Sequence, residues 1–159
     1  MNRVPLLVPV AQSPAGAVGD RLIALLVVAL AIASVVTLSF TSPDARGHGT
    51  HEQLGMIPCS WPILYGRPCP TCGVTTAAAH VVHLAPIEAL RTQPFGALLA
   101  IVGLWFAAIA LRALWLGESL VARVSVWPWA KILIGVVVAL LAGWAWTWLH
   151  WPASPIPAR

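Results

Sequence analysis

Three long apolar stretches constrain this chain more than any other feature of its sequence. They cover residues 22–40, 95–116 and 132–149. At ~1.5 Å rise per residue, each is long enough to cross a hydrocarbon core about 30 Å thick as a helix. Arg112 lies close enough to the end of the second stretch for its side chain to extend to lipid head groups. We therefore predict an all-α integral membrane protein with three transmembrane helices.

The overall composition also favours a lipid environment. Hydrophobic residues make up 59% of the chain and charged residues 9%, and the mean hydropathy is +0.85. A soluble domain carries charge on about a quarter of its residues. The nine Lys and Arg residues are scattered singly, which argues against nucleic acid as a partner. Tryptophans concentrate near the ends of the third stretch, as is typical of membrane anchoring: Trp127, Trp129, Trp144, Trp146, Trp148 and Trp151.

The polar ends of the chain predict tails around one membrane domain. We expect residues 1–21 to form a disordered tail, residues 22–149 a single membrane domain, and residues 150–159 a Pro-rich tail. The first apolar stretch exceeds the roughly 7–15 residues of a signal-peptide core and begins late in the chain. No convincing small-residue cleavage site follows it, so we expect it to remain as an uncleaved anchor.

The distribution of cations predicts the orientation in the membrane. A cytoplasmic N-terminus places five cations inside, namely Arg3, Arg21, Arg112, Arg123 and Lys131. Four lie outside, namely Arg46, Arg67, Arg91 and Arg159. The outer loop is much longer, so cationic density favours this arrangement. The cysteine segment then faces the extracytoplasmic side, where thiols can oxidise.

The segment between the first two stretches, residues 41–94, divides in two. Residues 41–67 are rich in Gly, Pro, Ser and His and predict a loop. A short helix is expected from Val74 to about Leu84, and Pro86 restarts or kinks it. This helix is too short and too polar to be a fourth span. We expect a re-entrant or interfacial helix that carries the Cys-Pro-Thr-Cys-Gly turn at its beginning.

Three cysteines in this segment predict a metal site. A Cys-x-x-Cys turn followed by Gly lets Cys69 and Cys72 bind one ion while backbone N–H groups point at the sulfurs. Cys59 supplies a third sulfur, and His80 or His83 a fourth ligand. We take Cys59, Cys69, Cys72 and His80 as the candidate ligands, with zinc as the candidate ion. Against this hypothesis, the Cys-x-x-Cys turn occurs once, whereas strong zinc signatures repeat it.

Two alternatives remain open for the same turn. Cys69 and Cys72 are also a candidate redox dithiol, in which Cys72 precedes a helix whose macrodipole would lower the thiol pKa. No βαβ pattern surrounds the turn, so a thioredoxin-type domain is not expected. The third alternative is purely structural, with a disulfide in the loop or plain buried thiols. The odd number of cysteines weakens it slightly, because full disulfide pairing would leave one sulfur over.

The remaining polar residues give little sign of catalysis. His48 and His51 fall in a Gly-rich loop and are expected to be solvated, whereas His150 is expected at the membrane interface. Residues 22–40 and 132–149 contain no ionisable side chain, so a proton or ion path is not supported. We find no Ser-His-Asp arrangement and no phosphate-binding glycine loop. We therefore expect no catalytic residues, no cofactor other than zinc, and no enzymatic activity.

The cysteine segment resembles a family of small bacterial membrane proteins, domain-of-unknown-function family 2752. The resemblance rests on Cys59, on the Tyr65-Gly66 step, on the Pro68-Cys69-Pro70-Thr71-Cys72-Gly73-Val74-Thr75 motif with its following alanines, and on Pro94 before a hydrophobic span. It covers roughly residues 59–116. It implies a bacterial inner membrane location and partners among lipids, other membrane proteins or further copies of the chain.

Two positions depart from the family pattern. The family has Arg where this chain has Thr76, and Asn where it has Gln93. If the family's Arg binds an anion or a lipid head group, this chain has lost that role. The family implies no activity, so the resemblance supports the fold. The leading functional hypothesis is a small membrane protein whose cysteines hold a structural or sensory metal, the alternatives being a thiol–disulfide accessory or a purely structural component.

Overall fold

The computed structural model describes the backbone of residues 14–151 and the side chains of residues 17–151. All regular structure in that range is helical. The seven α-helices are α1 (Pro14–Ser39), α2 (Ser60–Tyr65), α3 (Val74–Val82), α4 (Pro86–Thr92), α5 (Pro94–Leu116), α6 (Leu120–Ser125) and α7 (Trp129–Leu149), with a short 3₁₀ helix at Thr50–Leu54. Of the predicted tails at residues 1–21 and 150–159, residues 1–13 and 152–159 lie outside the described residues.

Helices α1, α5 and α7 are long and apolar enough to cross a membrane, which confirms the predicted fold class of an integral membrane protein. Helices α5 and α7 follow the predicted bounds closely. Helix α1 begins at Pro14, whereas the sequence predicted a tail as far as residue 21. The early start has a physical reason, because Asp20 Oδ1 accepts a 2.9 Å hydrogen bond from the Val121 N–H and so ties this end of α1 to α6.

Helix α5 occupies the centre of the bundle and packs against α1, α3, α4 and α7. The start of α1 meets α6, which follows the end of α5, and the start of α5 meets the second half of α7. The three spans therefore alternate in direction. The contacts are made by small side chains, as is usual where membrane helices approach closely. Two clusters are buried, Ala24, Ala110, Ala113 and Leu120 in one and Ala77, Ala89 and Ala97 in the other.

Of the two glycines Gly135 and Gly143 in α7, one lies against a neighbouring helix. A Cβ atom at Gly143 would lie 2.7 Å from Phe95 Cβ, so the start of α5 touches the α7 backbone there. A Cβ atom at Gly135 would meet nothing within 4 Å. Most other side chains of α7 and α1 are exposed along the spans. Such surfaces are stable in hydrocarbon and not in water.

The segment between α1 and α5 is more helical than the sequence predicted. The expected loop at residues 41–67 contains the 3₁₀ helix and α2. The short helix at Val74 and its restart at Pro86 are confirmed as α3 and α4. Helix α3 packs against both α1 and α5, so it lies across one end of the bundle. Helix α6 on the opposite side was not predicted, because its six residues carry too little periodicity.

Candidate metal centre

The three cysteines come together at the end of the bundle that α3 covers. Cys59 immediately precedes α2, whereas Cys69 and Cys72 lie in the turn that leads into α3. Their Sγ atoms all lie within 4.8 Å of one another. None of the three is in a disulfide, and Cys72 is buried while the other two are partly buried. The chain thus brings together three thiols from two separate segments, the residue before α2 and the turn before α3.

The turn that carries Cys69 and Cys72 is closed by backbone hydrogen bonds. The Cys72 N–H donates to the Cys69 carbonyl at 3.0 Å, and the Val74 N–H donates to the Thr71 carbonyl at 3.1 Å. Gly73 completes the turn at φ +85°, a left-handed conformation that suits glycine. A Cβ atom there would lie 2.8 Å from the Gly47 carbonyl oxygen, so the turn also requires a residue without a side chain.

The turn is anchored to α7 by indole groups. The Trp144 Nε1–H donates to the carbonyl of Pro68 at 3.0 Å, and Pro68 is fully buried. The Arg67 guanidinium carbon lies 4.2 Å from the centre of the Trp148 ring, within the range of a cation–π interaction. Sequence analysis placed these tryptophans in a membrane belt and missed their role in holding the cysteine turn. Nothing in their spacing distinguishes the two roles.

A hydroxyl donor lies beside one of the sulfurs, since Thr71 Oγ1 is 3.5 Å from Cys69 Sγ. Backbone hydrogen bonding also acts against the effect of burial on the thiols: that of Trp61 lowers the pKa of Cys59, and that of Thr71 lowers the pKa of Cys69. The backbone of Cys69 acts in the same direction on the pKa of Cys72. Such donors stabilise thiolate charge, and they match the N–H groups expected around a metal-binding cysteine turn.

The three thiols differ in acidity. Burial raises the pKa of Cys69, but hydrogen bonds from the hydroxyl and N–H of Thr71 and from the other two thiols outweigh it, so the pKa lies below the ordinary thiol value. Burial raises the pKa of Cys72 far above that value, and the neighbouring Cys69 raises it further. Burial also raises the pKa of Cys59. As the pH rises, Cys69 is therefore the first of the three metal-free thiols to lose its proton.

This order corrects one expectation. The helix dipole was expected to lower the pKa of Cys72, which does precede the N-terminus of α3. The structure shows the opposite direction, because Cys72 is buried and desolvation outweighs the dipole. The more acidic thiol is Cys69, three residues earlier, whose Sγ lies 3.5 Å from the Thr71 hydroxyl.

This order of acidity predicts the order of alkylation. When metal-free protein is titrated with iodoacetamide, Cys69 should be modified first, at a pH below that at which an ordinary thiol reacts, because only thiolate is the nucleophile. Peptide mass spectrometry at a series of pH values measures this. A Thr71→Val variant should move the Cys69 profile to higher pH. Earlier modification of Cys72 than of Cys69 would contradict the assignment.

The predicted fourth ligand, His80, is not part of the group. Among the described residues, the donor atoms that lie within 4.8 Å of one another belong to the three cysteines. His80 is partly buried on α3, and burial lowers its pKa. His83 donates to the carbonyl of Thr41 at 2.7 Å and so joins α3 to the end of α1. Coordination by His80 or His83 stays a prediction.

The loop histidines differ from expectation in one case. His48 was expected to be solvated, but it is 7% exposed. Its Nδ1–H donates to the Arg46 carbonyl at 3.0 Å, and its ring packs on Trp151 with ring centres 4.6 Å apart. The loop is ordered around it because the Arg46 side chain pairs with both Asp44 and Glu52. His51 is partly exposed.

Both departures from the family pattern have structural roles here. Thr76 is fully buried, and its hydroxyl accepts a 2.9 Å hydrogen bond from Thr50 that holds the 3₁₀ helix on α3. Gln93 is also fully buried, and its Oε1 accepts a 2.6 Å hydrogen bond from the Gly96 N–H. Gln93 thereby caps the N-terminus of α5, a role for which Asn is also well suited.

Comparison with known proteins gives one match. Residues 59–107 match the family model described as "Protein of unknown function (DUF2752)". This segment begins at Cys59 and ends just past the middle of α5, so it contains all three thiols. No curated protein and no solved structure matches the chain.

Proposed function

We propose the function of this chain from its own residues, because the family model that residues 59–107 match is described as one of unknown function. We propose a non-enzymatic membrane protein that holds a zinc ion with Cys59, Cys69 and Cys72. The observation that carries the proposal is the convergence of three Sγ atoms within 4.8 Å of one another. Thiolates are ligands that zinc prefers, and three of them from two segments form a chelate.

The spacing of the thiols suits a zinc ion after a small contraction. Tetrahedral zinc with bonds of ~2.3 Å holds its sulfur ligands about 3.8 Å apart. The Sγ atoms lie within 4.8 Å of one another, so closing the site requires each pair to approach by at most about 1 Å. Zinc binding would require all three cysteines as thiolates, and the ion's charge would offset the burial that raises the pKa of Cys59 and Cys72.

Three protein ligands leave one coordination position for water or another group. Structural zinc sites use four protein ligands, whereas catalytic zinc sites keep one position open for water or substrate. An open position at a membrane surface would let the ion exchange a ligand, which suits a sensory role better than a purely structural one. His80 as the fourth ligand would instead close the site.

The charge distribution supports an extracytoplasmic site. The side of the bundle that carries α6 has four cations and two carboxylates, namely Arg21, Arg112, Arg123, Lys131, Asp20 and Glu118. The side that carries the cysteines has three cations and three carboxylates, namely Arg46, Arg67, Arg91, Asp44, Glu52 and Glu88. Cations accumulate on the cytoplasmic side of membrane proteins. We therefore propose that the protein lies in the plasma membrane, with the N-terminus of α1 on the cytoplasmic side.

Elemental analysis of detergent-purified protein tests the zinc site. The protein should contain about one zinc per chain, and replacement of Cys59, Cys69 or Cys72 by Ser should reduce this to less than about a tenth, because two thiolates bind zinc far more weakly than three. His80→Ala separates the two ligand sets, since it leaves the content unchanged if three thiols suffice. Ser60→Ala is the matched control beside Cys59. A wild-type protein without metal after growth in zinc would contradict the proposal.

A second function, thiol–disulfide exchange, is favoured by the acidity of Cys69 beside a protonated Cys72. The Cys69 thiolate would attack a substrate disulfide, form a mixed disulfide and release one substrate thiolate. Cys72, after losing its proton, would then form the Cys69–Cys72 disulfide and release the second. The substrate gains the two electrons that the site loses. Under this hypothesis, the extent of cysteine alkylation increases when a reductant is added, while the metal content stays at zero. If the extent of alkylation does not change and no metal is bound, the cysteines are purely structural.

A further inference from the structure

The chain around Cys59 exposes an apolar surface that lies outside the three spans. We call residues 56–65 the apolar segment. Ile57, Ile63, Leu64 and Tyr65 are each between 67% and 83% exposed. Residues 53–66 contain no charged side chain. Among the other helices of residues 14–151, none packs extensively on α2, which forms the second half of the segment.

The apolar segment is held to the protein along its inner side. Pro62 is buried, and Cys59 contributes its sulfur to the thiol group with Cys69 and Cys72. The Tyr65 end is closed by the Gly66 N–H, which donates to the Pro62 carbonyl at 3.0 Å. The apolar side chains therefore point away from a fixed support, and their exposure is a property of the fold.

Contacts made by the residues that follow the apolar segment fix its position along the axis of the membrane spans. Pro68 accepts a hydrogen bond from Trp144, and Arg67 lies over Trp148, both on α7. Trp144 precedes the end of α7 at Leu149 by about 7.5 Å along the helix axis, at ~1.5 Å per residue. The segment thus adjoins the last turns of a membrane span, at the depth where tryptophans meet the lipid head groups.

We propose that residues 56–65 lie in the membrane interface, with Ile57, Ile63 and Leu64 in contact with lipid acyl chains. The residues that follow the segment are attached to the last turns of α7, where most side chains are exposed and apolar, so one lipid phase covers both. Trp61 and Tyr65 pack together with ring centres 5.4 Å apart, and such amphipathic rings favour the interface. Arg67, which is exposed just beyond the segment, is placed to meet head-group phosphates.

The proposal places the thiol group at the membrane surface and not in a free aqueous loop. Cys59 lies in the middle of the apolar segment, so one ligand of the group is carried by a lipid-bound element. A molecule or ion that approaches the sulfurs from the side of the apolar segment therefore does so along the membrane interface. The proposal concerns the lipid contact alone and does not depend on whether the thiols hold zinc.

Photo-crosslinking of the full chain in phosphatidylcholine vesicles tests this placement. Benzoylphenylalanine is introduced at Ile63, at Val137 in the middle of α7 as a lipid-facing control, and at Ala45 in the polar loop as an exposed control. Lipid adducts are counted by mass spectrometry after irradiation. The yield at Ile63 should lie within about twofold of that at Val137 and about fivefold or more above that at Ala45, because the interface brings acyl chains to the probe.

Two results would overturn the proposal. A yield at Ile63 as low as that at Ala45 would place the segment in water. Adducts to a second copy of the chain or to another protein in place of lipid would make the segment a protein-docking surface. The same probe in a Cys69→Ser background separates this question from the zinc site, since lipid labelling at Ile63 should persist there while zinc is lost.

Discussion

Replacing Gly73 with alanine should destabilise the protein strongly and remove its metal. Alanine at φ +85° carries a backbone strain of about 1–2 kcal/mol. The added Cβ would also lie 2.8 Å from the Gly47 carbonyl oxygen, a backbone atom that moves only with its loop. Relieving such an overlap costs about 1–3 kcal/mol more. Denaturant unfolding in micelles measures the loss, and elemental analysis measures the metal.

Gly66→Ala is the matched control for this variant. Gly66 also has a positive φ, +62°, and ends α2, but a Cβ atom there would meet nothing within 4 Å. The control variant should therefore show the strain of about 1–2 kcal/mol alone and keep its zinc. Equal losses in the two variants would mean that the contact between Gly73 and the Gly47 loop contributes nothing.

Replacing Gly143 with alanine should separate α7 from the start of α5. A Cβ atom at Gly143 would lie 2.7 Å from Phe95 Cβ, 3.0 Å from Phe95 N and 3.1 Å from Gln93 Nε2. All three groups belong to the rigid start of α5, so α7 has to move outward, at a cost of about 1–3 kcal/mol. The movement also pulls Trp144 from Pro68, because the indole is on the next residue of α7. The free energy of unfolding and the zinc affinity should therefore fall together.

Gly135→Ala on the same helix is the control, because a Cβ atom there meets nothing within 4 Å. Alanine has a better helix propensity than glycine, by about 0.8–1 kcal/mol in water. Gly135→Ala should thus be neutral or stabilising, with unchanged zinc affinity. If Gly143→Ala behaves the same way, α7 does not approach α5 as closely as the structure shows.

The membrane fold could be predicted because its signal is local. Each span is a continuous apolar stretch whose length alone matches the bilayer, so no tertiary contact is needed to identify it. The start of a new helix at Pro86 could be predicted for a similar reason, since proline fixes its own φ angle and lacks a backbone N–H donor. The early beginning of α1 was not, because residues 14–21 gain helical structure through a contact between Asp20 and the distant Val121.

The sequence by itself determined which residues are long and apolar enough to cross the bilayer and which segment contains the thiols, since hydrophobic length and sulfur content are properties of single segments. Only the tertiary structure decided how those sulfurs are arranged. It brings Cys59 to Cys69 and Cys72, leaves His80 outside the group and buries Cys72, so that Cys69 becomes the acidic thiol. Donor distances and desolvation depend on which segments pack together, and no spacing along the chain specifies them.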